Sequence, residues 1–519
     1  MQICALFWVC IADTNTLGAQ LFQPFMYGNQ FQQPNPQSSS QVPQDHFQLN
    51  YNIVDGGPSQ TPTRQSSSRI NTTAAHPARL PIHQAVQSGS LRGTELLLRA
   101  KPECAHAIGK KGIGPAWIAA QGGYIGILKL LITHKVDLNL PSQEHNRFPI
   151  HQAAQAGHTE VVRLLLENGA EPDPVDHYGI TPLWSAAQGG HHEIIEMLLS
   201  HGSRVGKEIK IEIESTEGGR RPIHQAAQGG YLQTVKLLRA KGANCDPVDG
   251  DGITPLWSAS QNGHADVVRE LINAGALLDV MPYKESRLPI HQAAQGGHLE
   301  VIQTLLEFGA SLTPEANAFD DSEPSPFLLA CNCDNPDLVR LFLDRGVDIG
   351  TTAKNKKTAL HFAAHRGHLK VGQLLIDRGC DVDAREVDGW PVLMLAAQEG
   401  HLPFVNLLID NHVNVNAEEK DGATALWIAS QQGHANIVRR LLEAGARQLP
   451  TNGGGCRPIH RAAENGHLAC VKLLLEHSPG EIDVAGHEGC TALTMASHKN
   501  EPSHLAIMRY LVSKGAQVM

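Results

Sequence analysis

Histidines one helical turn apart can hold a metal ion. His361 and His365 have that spacing, with His368 just beyond. No Glu or Cys completes the set, and similar histidines recur along the chain as a spread ladder, which points to hydrogen bonding at helix ends. Asp246, Asp249 and Asp251 in DPVDGDG begin like a calcium loop. Ser260 stands at the twelfth position, where a bidentate Glu is required, and Asp251-Gly252 reads better as a hairpin turn. Gly109-Lys110-Lys111-Gly112 is a link, and the chain has no G-x-x-x-x-G-K-[ST], H-E-x-x-H or G-x-S-x-G. No catalytic, cofactor-binding or metal-binding residue is assigned, so the chain is expected not to be an enzyme.

The remaining chemistry is a series. Gln84, Gln152, Gln225 and Gln292 follow Pro-Ile-His. Gln87, Gln121, Gln155, Gln188, Gln228, Gln261, Gln295 and Gln431 recur three residues after them or after their counterparts in a Trp-bearing variant. Glutamine offers a donor and an acceptor without charge, which suits recognition. It is also a good helix former that duplication would copy. Trp184, Trp257 and Trp427 belong to the same series, as interface anchors or as packing between repeats.

The stretch Tyr178 to Ser203, YGITPLWSAAQGGHHEIIEMLLSHGS, shows what positions them. Thr181 is a good N-cap, and Pro182 suits the first helical position. Ala186 and Ala187 permit close approach of a neighbouring helix. Gly189-Gly190 ends the helix. Ile194, Ile195, Leu198 and Leu199 recur at helical spacing, and Gly202 is expected to stop that second helix. One such helix pair cannot bury its apolar face alone, so copies must stack.

The copies are present. The place of Trp184 is filled elsewhere by His83, Trp117, His151, His224, Trp257, His291, Leu328, His361, Met394, Trp427, His460 and Thr494, at steps of about 33 residues. From about Ala78 to Met519 the chain resembles the ankyrin-repeat family. Asp251-Gly252, Thr254-Pro255-Leu256-Trp257, Gly263-His264 and Gly275-Ala276 match its pattern in order, as does KTALHFAAHRGHLKVGQLLIDRGCDVD from Lys357. The resemblance implies an all-α solenoid of about thirteen stacked helix–turn–helix units with short β-hairpin links. It implies a concave face lined by first-helix polar residues and link tips. On that face the protein-binding candidates are Gln152, Gln155, Trp184, Gln188, Gln225, Gln228, Trp257, Gln261, Gln292, Gln295, Trp427 and Gln431. The implied function is a monomeric scaffold or adaptor for a protein partner, without cofactor. Alternatives are a secreted, toxin-like effector and a substrate adaptor of a ubiquitin-ligase complex, although no recruiting box follows the last repeat.

Two departures stand out. In the PIHQAAQ class the residue before Pro is Leu80, Phe148, Arg221, Leu288 or Arg457, so each repeat loses an N-cap worth about 1 kcal/mol unless another group substitutes. From His83 to His291 this class alternates with the Trp class, as if a two-repeat block had been duplicated.

Residues 1–20 contain the apolar run ICALFWVCIA, read either as a signal peptide or as a disordered apolar start. Residues 21–77 are a Gln/Pro/Ser-rich tail that cannot form a core. Repeats then occupy 78–324 and 325–519 as two subarrays, with the irregular repeat at Ser325 as joint or stacking defect. The net charge of −10 offers no basic stripe for nucleic acid. No other run is long enough to span a membrane. Cys456 and Cys490 occupy equivalent places in neighbouring repeats. Stacked repeats lie roughly 10 Å apart, beyond disulfide reach, so the thiols are read as mostly reduced and the protein as cytoplasmic. It would be secreted if Ile3 to Gln20 is a working signal peptide. Within the long link 204–219, KEIKIEIES alternates like an extended hairpin.

Overall fold

The computed structural model describes residues 80–283, 287–312, 324–451 and 455–517. Segments 1–20 and 21–77 and most of the 311–324 link therefore lie outside the described residues. Thirteen helix pairs follow one another, and numbering them repeats 1 to 13 puts the first helices at Pro81, Pro115, Pro149, Pro182, Pro222, Pro255, Pro289, Pro326, Ala359, Val392, Ala425, Pro458 and Ala492. They belong to one compact unit, His76–Met519.

Repeat 4 shows why the pair forms. Thr181 Oγ1 accepts the Trp184 backbone N–H at 3.2 Å, capping a helix that Pro182 opens. Gly190 turns the chain at φ +74°, a left-handed conformation that glycine adopts without strain. The second helix, His192–Arg204, buries Ile194, Ile195 and Leu198 on one stripe. From repeat 2 to repeat 12, each first helix packs on the first helices of both neighbours and on its own second helix. Ala186 and Ala187 are fully buried where these helices approach. The core is therefore one continuous seam of Leu, Ile, Val and Ala running along the array.

The links pair less than expected. Among the described residues, strand-like pairing is limited to single antiparallel bridges, Thr352–Thr358, Arg385–Pro391 and Glu418–Thr424. The expected hairpin in 204–219 is not formed. That stretch runs as turns and irregular chain. Its alternation serves other contacts. Ile209 is buried, while Glu212 and Glu214 both pair with Arg221, at 3.2 and 2.6 Å. Gly202 also does not end its helix, which continues to Arg204. It is glycine because Ile209 lies over it. A Cβ there would sit 2.7 Å from Ile209 Cγ1.

Candidate interaction surface

Two series of ring donors tie successive repeats together along much of the array. In the His class, His151 Nδ1 accepts the Phe148 N–H at 3.2 Å, which leaves Nε2–H to donate to Ile180 O at 3.0 Å. His224 repeats this with Arg221 N and Ile253 O, at 3.0 and 3.1 Å. The imidazole therefore substitutes for part of the missing Thr cap, satisfying the N–H of the capping residue itself. In the Trp class, Trp184 and Trp257 Nε1–H donate to Arg220 O and Arg287 O, at 3.2 and 2.9 Å. Every acceptor stands two residues before the proline that opens the next repeat. Histidine and tryptophan thus alternate in sequence but do one job.

The second series comes from the Gly-His histidines. His191, His264 and His298 donate to the carbonyls of Gln155, Gln228 and Gln261, at 3.1, 3.0 and 3.0 Å. At Gly157, φ is +75° and an added Cβ would meet the His191 ring at 2.4 Å. Glycine is required there by backbone and by neighbour.

These bonds determine which candidates are exposed. Trp184 and Trp257 are 6% and 3% exposed, and Gln152 and Gln292 are 9% and 4% exposed. Of the two readings of the tryptophans, Trp184 and Trp257 take the one of packing between repeats, and Gln152 and Gln292 are buried beside them. Trp427 is half-buried beneath the Arg461 guanidinium, 5.0 Å from its ring. Gln155, Gln188, Gln225 and Gln431 are half-buried, and Gln228, Gln261 and Gln295 are exposed. The accessible part is therefore the column of residues that closes the first helices.

Arginines that are not among the sequence candidates stand behind that column. Arg147 donates to Gln155 Oε1 and Ser185 Oγ, both at 3.0 Å, and its Nε lies 3.4 Å from Asp176 Oδ2. Gln155 Nε2 then donates to Gln188 Oε1 at 3.0 Å. Arg220 donates to Gln228 Oε1 at 2.8 Å and to Asp249 at 3.1 Å. Arg287 donates to Gln295 Oε1 at 2.7 Å. The signal was available: an Arg stands two residues before Pro149, Pro222 and Pro289.

The clusters with metal-like spacing do not converge. Asp249 Oδ1 accepts the N–H groups of Asp251 and Ile253, and its other oxygen faces Arg220. His361 points to Trp390 O, His368 to Asn332 O, and His365 lies 3.6 Å from Glu399. Among the described residues no group of three or more His, Cys, Asp or Glu is placed to hold a metal. Burial dominates the titration of the buried rings: it pushes His151 down to about 3, and His224, His291 and His361 down to about 4. These rings are neutral at pH 7, as their acceptor roles demand. The eight described cysteines are free thiols, and burial pushes Cys333 up to about 11 and Cys380 up to about 12. No described helix is long and apolar enough to cross a membrane.

Comparison with known proteins agrees with this architecture. A family model described as Ankyrin repeats (3 copies) matches residues 82–176, 168–249, 223–317, 312–386, 375–452 and 448–519. The chain is 26% identical over 295 residues to the human transient receptor potential cation channel subfamily A member 1, covering 56% of this chain and 24% of that one. It is 26% identical over 159 residues to the palmitoyltransferase AKR1 of Lachancea kluyveri, covering 30% of this chain and 21% of that one. The chain thus spans less than a quarter of the length of these curated relatives. The human ASB11 ankyrin repeat domain is a similar solved structure, at TM-score 0.40 and 24% identity, covering 44% of this chain and 99% of that one.

Proposed function

Because the chain belongs to the ankyrin-repeat family, we propose that it is a non-enzymatic scaffold that holds a protein partner on the face formed by its first-helix ends and link tips. In this reading that face is the concave one, as the family resemblance implies. One observation carries the reading: glutamine amides recur there repeat after repeat, and arginines at Arg147, Arg220 and Arg287 hold several of them in place. Fixed polar groups of this kind cut the entropy lost on binding. The proposed organisation is two subarrays, 78–324 and 325–519. The proposed compartment is the cytoplasm, which the free thiols support.

The test is affinity capture with the full chain and with Gln228→Glu/Gln261→Glu/Gln295→Glu. Loss of specific partners, with the melting temperature unchanged, supports the face as the binding side. Equal recovery of every partner by both proteins rejects it.

A further inference from the structure

We infer that the segment held by repeats 4 to 7 is an extended peptide bearing carboxylates in step with Gln188, Gln228 and Gln295; this deepens the reading of that face as the binding side and rests on it. A free glutamine is indifferent between donating and accepting. These three are not. Arg220 binds Gln228 Oε1 and Arg287 binds Gln295 Oε1, so each amide turns its oxygen to the guanidinium and its NH2 away. Gln188 is fixed by relay. Arg147 holds Gln155 Oε1, Gln155 Nε2 donates to Gln188 Oε1, and the NH2 of Gln188 is turned away from Gln155. Among the described residues these three NH2 groups have no protein acceptor.

The surface therefore presents donors. An amide whose oxygen is bound by a cation is polarised, which strengthens its N–H groups as donors. Anionic acceptors make the stronger bonds with such groups, so the matching side chains are Asp and Glu. An extended backbone also offers its carbonyls in between, whereas a helix has spent its own. Repeat 6 carries Ile253 where the arginine would stand, so Gln261 is not fixed and tolerates either kind of group. One repeat is about 10 Å, or about three residues of extended chain. Donors in repeats 4, 5 and 7 thus call for acids at about i, i+3 and i+9 in one chain direction, or i, i+6 and i+9 in the other.

The experiment pans a phage library of random 16-residue peptides on the full-length protein. The enriched peptides are then titrated by fluorescence anisotropy against wild type and Gln228→Glu/Gln295→Glu. Glutamate keeps the oxygen that each arginine binds, so the fold is retained, and melting curves verify it. The expected result is acid-bearing peptides with one of these spacings, bound at least tenfold more weakly by the variant. Peptides that lose affinity for the variant but are basic, apolar or acidic at a helical seven-residue step overturn the inference and leave the face intact. Binders indifferent to the variant overturn both.

Discussion

The indole N–H of Trp184 donates to the carbonyl of Arg220 at 3.2 Å. That carbonyl lies in the link ahead of the next repeat, and the guanidinium of the same Arg220 fixes Gln228. One residue therefore receives the bond that stacks two repeats and orients the amide of Gln228. Stacking and the orientation of the amide thus meet in one residue through different atoms, the carbonyl and the guanidinium.

Trp257→Phe removes the N–H that reaches Arg287 O while keeping most of the ring. Leaving that carbonyl without its ring donor should cost about 1–3 kcal/mol. Urea unfolding measures the loss, and hydrogen exchange should localise it to repeats 6 and 7. A change within about 0.5 kcal/mol, the range of ordinary surface substitutions, would show that the indole contributes only by packing.

Acid should loosen the array. His151, His224 and His361 have folded pKa values near 3 to 4, below the unfolded value of about 6.5. For a base with a lowered folded pKa, the unfolded chain binds more protons between those values. Stability is then full above about pH 6.5 and is lost as pH falls towards about 4. Each ring contributes up to the order of 3 kcal/mol. Thermal melts at pH 7.5, 6 and 5 should show a steepening fall, and His224→Gln should flatten it.

Gly157→Ala places a methyl group against the His191 ring at a positive φ. The conformational part alone is about 1–2 kcal/mol, and displacement of the ring adds to it. Chemical denaturation should show at least that loss, whereas Gly169→Ala, which meets no neighbour, should show the conformational part only.

Repeats 8 and 9 should part first. Leu328 fills the ring position of repeat 8 and has no N–H to give. Gly350 stands where Asp383 accepts from Asn414 and Asn416 from Arg447 in later repeats, so that side-chain bond is missing as well. Native-state hydrogen exchange should give a lower opening free energy for Ala359–Arg366 than for Pro222–Gln228. The reverse order would show that burial of Phe327 and Phe342 outweighs both missing bonds.

Much of this was legible in the residues. The Thr-Pro start, the Gly-Gly turn and the Ile194, Ile195, Leu198 stripe are local signals, and they produced the helix pair. What failed depended on residues far away in sequence. The alternation of Ile209, Ile211 and Ile213 has a strand's period, yet Arg221 draws in Glu212 and Glu214 and the core takes Ile209. Gly202 reads as a stop until Ile209 is seen lying over it. The burial of Trp184 follows from a carbonyl 36 positions on, and the orientation of Gln188 passes through Gln155 from Arg147. No window of local sequence contains those partners.

The most direct measurement is the dissociation constant of one partner, identified by proximity labelling, for three proteins. They are wild type, Gln228→Glu/Gln261→Glu/Gln295→Glu on the first-helix face, and Lys236→Glu on a second helix. Binding through the glutamine face predicts at least a tenfold loss for the triple variant and none for Lys236→Glu. An unchanged constant for the triple variant, or a loss only for Lys236→Glu, would place the partner elsewhere and contradict the claim.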